Sequence, residues 1–227
     1  VHLYLLIVAS LMKLSDQLIA LGGIFIVVIL GFGLFFWLSP RTENAVQAFT
    51  KDQMVAPYSA MTGTTTAKVT MVEWGDFECP ACASVEPVLK QIIAIYGKNP
   101  EFNFVFRNFP LPQHPNARPA AEAAEAAGAQ GQYWGMYALL YEHQDEWVKS
   151  ANPRTSFDTY AKSLQLDLAT FDAALNNHIY ASLIDLDSKN ASELRLNHTP
   201  TIFLNGVEQK MVSIPSLTKA IDTALKQ

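Results

Sequence analysis

Hydrophobic and polar positions divide the chain into three regimes. The first is the run LIALGGIFIVVILGFGLFFWL, 21 residues from Leu18 to Leu38 without a charge. As a helix rising about 1.5 Å per residue it would be roughly 30 Å long, the thickness of a bilayer's hydrocarbon core. The run exceeds an ordinary signal-peptide core, and no small-x-small site follows it closely. An uncleaved transmembrane anchor over 18–38 is therefore expected, with cleavage near Ala45 or Ala48 as the competing reading and a buried core helix as the third. Met12-Lys13 stands before the run like the start of a targeting segment. Residues 1–17 are accordingly read as an N-terminal segment of which 1–11 precede the true start. Charge does not orient the anchor, since Lys13 lies on one side and Arg41 and Lys51 on the other.

The second regime, residues 39–66, is broken by Pro40, Pro57, Gly63 and Thr64-Thr65-Thr66, and reads as a linker with some helix over 43–53. The third begins near Ala67. KVTMVEW (68–74) and FNFVFR (102–107) are rich in β-branched and aromatic residues and predict strands. Between them Val85, Val88, Leu89, Ile92 and Tyr96 recur at helical spacing and predict a helix over 80–96. Such a β-α-β unit implies two parallel strands joined by a right-handed crossover. From Asn116 to about Leu196 the pattern is helical, interrupted at Asn152-Pro153. Strand character returns at 201–204, and Asn205-Gly206 signals a two-residue hairpin turn with a return strand over 207–212. An amphipathic helix closes the chain at 214–225. The expectation is one α/β domain, 67–227, with a helical subdomain inserted at about 116–196.

Charge narrows the function. The 16 Lys and Arg against 21 Asp and Glu give a net charge of −5, with no basic cluster. That balance argues against a nucleic-acid binder working by phosphate neutralisation.

The chain's two cysteines sit together as Cys79-Pro80-Ala81-Cys82, directly after the first predicted strand and at the start of the helix. A thiol there faces orphan backbone N–H groups and the positive end of the helix dipole, which favour thiolate over thiol. Pro80 at the first helical position costs no hydrogen bond. Cys82, one turn on, is placed to attack a mixed disulfide formed by Cys79. A zinc site would need a second ligand pair, and the five histidines show no paired spacing. A purely structural disulfide across so short a loop would stabilise little. Glu73 shares strand parity with Val69 and Met71, so it is expected to point into an apolar face, where an unpaired carboxyl keeps its proton to higher pH. A solvated strand end is the alternative for Glu73. Trp74 and Phe77 read equally as a rim beside Cys79 or as core, His114 as a surface-loop histidine, and Trp134, Met136, Tyr137, Leu140 and Tyr141 as the insertion's core.

Taken together, VTMVEWGDFECPAC, FRNFPL, HPNA, AAEAA and NHTPTIFLNG resemble the DsbA-like branch of the thioredoxin superfamily, particularly its membrane-anchored bacterial thiol-disulfide oxidoreductases. The resemblance covers roughly 67–226 and implies a thioredoxin fold with a DsbA-type helical insertion. It makes Cys79 the nucleophile, Cys82 the resolving cysteine, Glu73 the buried acid that exchanges a proton with Cys82, and Pro87 the helix-kinking proline. It also makes Thr199-Pro200 a cis peptide bond against the redox pair, with Thr199, Pro200, Pro80 and Ala81 facing the substrate. The redox-active Cys79–Cys82 disulfide would be the only cofactor, with no metal and no recognisable calcium loop. The implied partners are unfolded or reduced exported proteins, a membrane redox partner, DsbB-like or other, and lipid along 18–38. The implied location is the bacterial cytoplasmic membrane, single-pass, with the C-terminal domain extracytoplasmic. Pro80 after the nucleophile favours an oxidase, whereas Thr199 before Pro200 is frequent in reducing and isomerising relatives. The alternatives are an isomerase or reductase kept reduced by a membrane partner, and a non-catalytic anchored binding or chaperone module.

Overall fold

The computed structural model describes residues 31, 32, 34, 35 and 48–227, and the chain divides into two units, 1–45 and 46–227. In the first unit Gly31, Phe32, Leu34 and Phe35 are helical and exposed. The rest of the anchor expected over 18–38 lies outside the described residues, as do the segment 1–17 and the linker's first part, 39–47. Among the described residues no helix is long and apolar enough to cross a membrane.

The second unit runs through α1 (Lys51–Met54), β1 (Ala60–Met61), β2 (Val69–Gly75), α2 (Pro80–Tyr96) and β3 (Phe102–Asn108). The helices α3 (Ala117–Gly128), α4 (Tyr133–Glu142), α5 (Gln144–Trp147), α6 (Arg154–Ser163), α7 (Leu168–Asn176) and α8 (Ala181–Glu193) follow. β4 (Thr201–Leu204), β5 (Val207–Glu208) and α9 (Ile214–Lys226) close it. The sheet order is β1-β3-β2-β4-β5, with β2 and β3 parallel and the remaining pairs antiparallel. Every residue of β2 and β3 is buried, because both faces of the central pair are covered. Val69, Met71, Phe102, Phe104, Ile202 and Leu204 pack against Leu89 and Ile92 of α2 and Leu217 and Ile221 of α9. Val72, Trp74, Val105 and Phe203 face the other way, onto Met54 of α1, Ala191 of α8 and Leu194 just after it.

Two expectations are corrected. Residues 48–66, read as linker, belong to the domain. Ala48 bridges Val207, Met54 is buried, and β1 pairs along the free edge of β3. These elements are two to four residues long, too short for a periodicity to show. The return strand expected over 207–212 ends at Glu208, although Gln209 N–H still donates to Ile202 O at 2.7 Å. The hairpin turn itself has Asn205 at φ 46 and Gly206 at φ 79, the left-handed pair that a two-residue turn between twisted strands requires.

Arg107, on the α8 side of β3, is a buried cation stacked over the Trp74 ring at 4.4 Å. Its Nε donates to Asp187 Oδ1 at 2.8 Å and its Nη1 to Met54 O at 2.8 Å, while Asp187 Oδ2 accepts from Asn108 N–H at 2.8 Å. One guanidinium thus ties α1, β3 and α8 together. Burial pushes the Asp187 carboxyl up, and Arg107 opposes that shift. Arg107→Gln should leave Asp187 buried without its cation and cost about 3–5 kcal/mol of stability, read by urea unfolding. A loss under about 1 kcal/mol would contradict this role.

Candidate active site

Gly75 ends β2 so close to β3 that a Cβ there would lie 2.4 Å from the Phe106 ring, and the chain then leaves the sheet as Asp76-Phe77-Glu78. This loop is held from three sides. The Asp76 carboxylate accepts from Glu78 N–H at 2.8 Å and Leu111 N–H at 2.9 Å, and meets His114 Nδ1 at 2.7 Å. Glu78 Oε2 accepts from Asn116 N–H at 2.5 Å. From α5, Gln144 Nε2 donates to Phe77 O at 2.7 Å and Cys79 O at 3.1 Å. Phe77 and Trp74 are both buried, so neither shapes a rim: Phe77 packs on Phe106, Tyr137 and Tyr141, and Trp74 lies under Arg107 on the opposite face.

Cys79 caps α2 in an extended conformation, and Pro80 takes the first helical position, where its missing N–H is no loss. Pro80 and Ala81 are exposed, while Cys79 is 7% and Cys82 0% exposed. Both thiols are free. The environment separates them. A hydrogen bond from the Cys82 thiol, aided by Thr199 and the N–H groups of Cys82 and Ala81, holds Cys79 down to about 5 against the opposing effect of burial. Burial first, then the bond to Cys79 and the charge of Glu73, push the Cys82 thiol far above its ordinary value. Opposite the pair the Thr199-Pro200 bond is cis, and Thr199 O accepts from Cys79 Sγ at 3.5 Å.

Glu73 is fully buried, so it is not a solvated strand end. Its Oε2 accepts from Tyr137 OH at 3.2 Å, and its Oε1 has no hydrogen-bond partner. Burial pushes the carboxyl up to about 8; the Tyr137 bond opposes the shift, and the charges of Glu86 and Cys79 add to it. Pro87 lies inside α2 as expected. The structure therefore gathers Cys79, Cys82, Thr199 and Pro200 at one end of β2, with Glu73 behind them and Pro80 and Ala81 in front. Among the described residues no cluster of side chains suits a metal ion.

Asp76, Glu78 and Gln144 carry no role in the sequence reading, and His114 reads there as a surface-loop histidine. His114 and Gln144 reach the redox loop from residues 38 and 65 positions away from their partners, a closeness that no local spacing encodes. The two acids flanking Phe77 were the available signal, since carboxylates so near a thiolate need firm partners.

This asymmetry is directly measurable. Alkylation of the reduced protein should modify Cys79 alone, with a rate that titrates near pH 5 and is flat from about pH 6.5 upward. Reaction at Cys82 first, or a midpoint at the ordinary thiol value, would contradict the assignment.

A family described as Thioredoxin matches residues 56–223. Among solved structures, oxidised BdbD from Bacillus subtilis superposes with a TM-score of 0.67 at 24% identity, covering 75% of this chain and 94% of that one. The Na(+)/H(+) antiporter NhaA 3 of Salinispora tropica is 41% identical over 141 residues, 62% of this chain and 20% of that protein. The chain thus spans about a fifth of the length of the antiporter relatives it matches. The probable disulfide bond formation protein D of Bacillus anthracis is 28% identical over 232 residues, 95% of this chain and 100% of that protein. The family match takes in the sheet, the helix that carries the cysteine pair and the inserted helices alike, so this chain belongs to the thioredoxin family.

Proposed function

We propose that this chain is a thiol-disulfide oxidoreductase that introduces disulfides into unfolded or reduced exported proteins from the outer side of a bacterial cytoplasmic membrane. The observation that carries the reading is the asymmetry of the pair: Cys79 is held as thiolate at neutral pH, and Cys82 is not. Stabilising one thiolate stabilises the reduced protein, which leaves its disulfide the stronger oxidant. A substrate thiolate attacks Cys79 Sγ of the Cys79–Cys82 disulfide and forms a mixed disulfide. The Cys79–Cys82 bond breaks, and Cys82 departs with the electron pair and takes the proton held by Glu73. A second substrate thiolate then attacks the substrate sulfur, and Cys79 leaves as its stabilised thiolate. The substrate is oxidised by two electrons and the pair is reduced by two. A membrane redox partner, DsbB-like or other, would return the pair to the disulfide.

The membrane setting is supported by the uncharged run over 18–38, long enough to hold the chain in lipid, and by kinship with a region of proteins named as Na(+)/H(+) antiporters. Disulfides persist outside the cytoplasm, where an oxidase is useful. The name of the Bacillus anthracis relative supports the oxidising direction.

One experiment on intact cells tests location and direction together. The pair should be found mainly as disulfide in cells. After mild reduction of spheroplasts it should react with a membrane-impermeant maleimide. A mainly dithiol pair would favour a reductase or isomerase, and protection from the maleimide until lysis would refute the location.

A further inference from the structure

Glu73 reaches its partners through the inserted helices. Tyr137 on α4 is buried, and its ring is fixed by Phe77 at 5.8 Å, Phe106 at 5.2 Å, Trp134 at 5.3 Å and Tyr141 at 5.0 Å. Packing thus places its hydroxyl on Glu73 Oε2 at 3.2 Å. Glu73 Oε1 is left buried and unpartnered, an unusual position for a carboxyl oxygen in a satisfied core. In the sheet the register neighbours of Glu73 are apolar, Phe106 on β3 and Ile202 on β4. The ionisable groups facing it are Cys79, Cys82 and Glu86 from α2, and Tyr133, Tyr137 and Tyr141 from α4. No cation is among them. Outside Tyr137 opens an apolar groove of about 340 Å³, lined also by Thr62, Glu86, Lys90, Ile93, Trp134 and Ala138.

We propose that Tyr137 is a positioning residue that occupies Glu73 Oε2 so that Oε1 takes the proton of Cys82, while Glu86, on the wall of the adjoining groove, opposes the negative charge that Tyr137 favours. The inference rests on the thiol-disulfide exchange described above. In the resolving step the Cys82 thiol gives its proton to Glu73 and its sulfur attacks Cys79 Sγ of a mixed disulfide. The Cys79–Cys82 bond forms, the Cys79–substrate bond breaks, and the substrate sulfur leaves as thiolate with the electron pair. Tyr137 stabilises the charged, proton-accepting Glu73 by donating to it. Glu86, itself beside Lys90 and Glu142, works against that form because it adds like charge near the buried carboxyl.

The test is single-turnover exchange of the reduced full chain with oxidised glutathione, acid-quenched and read by mass. Formation of the Cys79–glutathione adduct reports attack, and its loss reports resolution. Tyr137→Phe keeps the ring but not the donor. It should move the acid limb of the resolution rate to higher pH by roughly half to one pH unit, which slows resolution about three- to tenfold at pH 7 and leaves attack unchanged. Glu86→Gln, on a half-buried helix position, should move the same limb to lower pH. Opposite displacements are not what two merely structural defects would produce. Unmoved limbs in both variants, with a limb lost in Glu73→Gln, would overturn the proposal alone. A limb that survives Glu73→Gln would remove Glu73 as the base and the proposal with it. A wild-type chain that forms no glutathione adduct would instead refute the exchange reading.

Discussion

The hydrogen bond from the Cys82 thiol to the Cys79 sulfur sets the terms for the rest of the site. It lets one sulfur carry charge at neutral pH and makes the other hold its proton, although the two belong to one helical turn. Position supplies the rest of the difference. Cys79 stands at the helix start, where backbone N–H groups have no intrahelical partner, and Cys82 lies inside, where burial disfavours a thiolate. A pair so divided can be attacked at one sulfur and resolved at the other, which gives exchange a direction within the protein.

The fold keeps that division rigid. Parallel pairing of β2 with β3 takes the chain out of the sheet at Gly75, and α2 begins five residues later. Asp76 and Glu78 receive backbone N–H groups from the segment after β3, and Gln144 reaches in from the inserted helices. The insertion is therefore part of the redox site: its Tyr137 holds Glu73, and its Tyr141 hydroxyl donates to Asp76 O at 3.4 Å. On the far face Arg107 closes the core with a buried charge whose hydrogen-bond partners come from two separate elements, α1 and α8.

What the sequence could show was whatever repeats or sits close together. The helical spacing from Val85 to Tyr96, the strand runs around Met71 and Phe104 and the Asn205-Gly206 turn are local signals, and the elements appear where those signals lie. Cys79, Cys82, Glu73 and Pro200 were legible through motif and strand parity. What failed to show was pairing across distance. Tyr137 reads as one more core aromatic until its hydroxyl is seen on a carboxylate 64 residues earlier. His114 reads as a loop histidine until Asp76 is beside it. Residues 48–66 read as linker because edge pairing needs only two residues, Ala60 and Met61, and two residues carry no period.

The central claim, that Cys79 is already a thiolate in the reduced protein, is tested most directly by the pH dependence of the pair's reduction potential, obtained by equilibration with glutathione buffers. Reduction of the disulfide takes up one proton where Cys79 remains thiolate, and two where it does not. For a two-electron couple each proton is worth about 30 mV per pH unit. The account predicts a slope of about 30 mV per pH unit between roughly pH 5.5 and 7, steepening toward about 60 mV below pH 5. A slope of about 60 mV per pH unit throughout that range, breaking only near the ordinary thiol value, would contradict it.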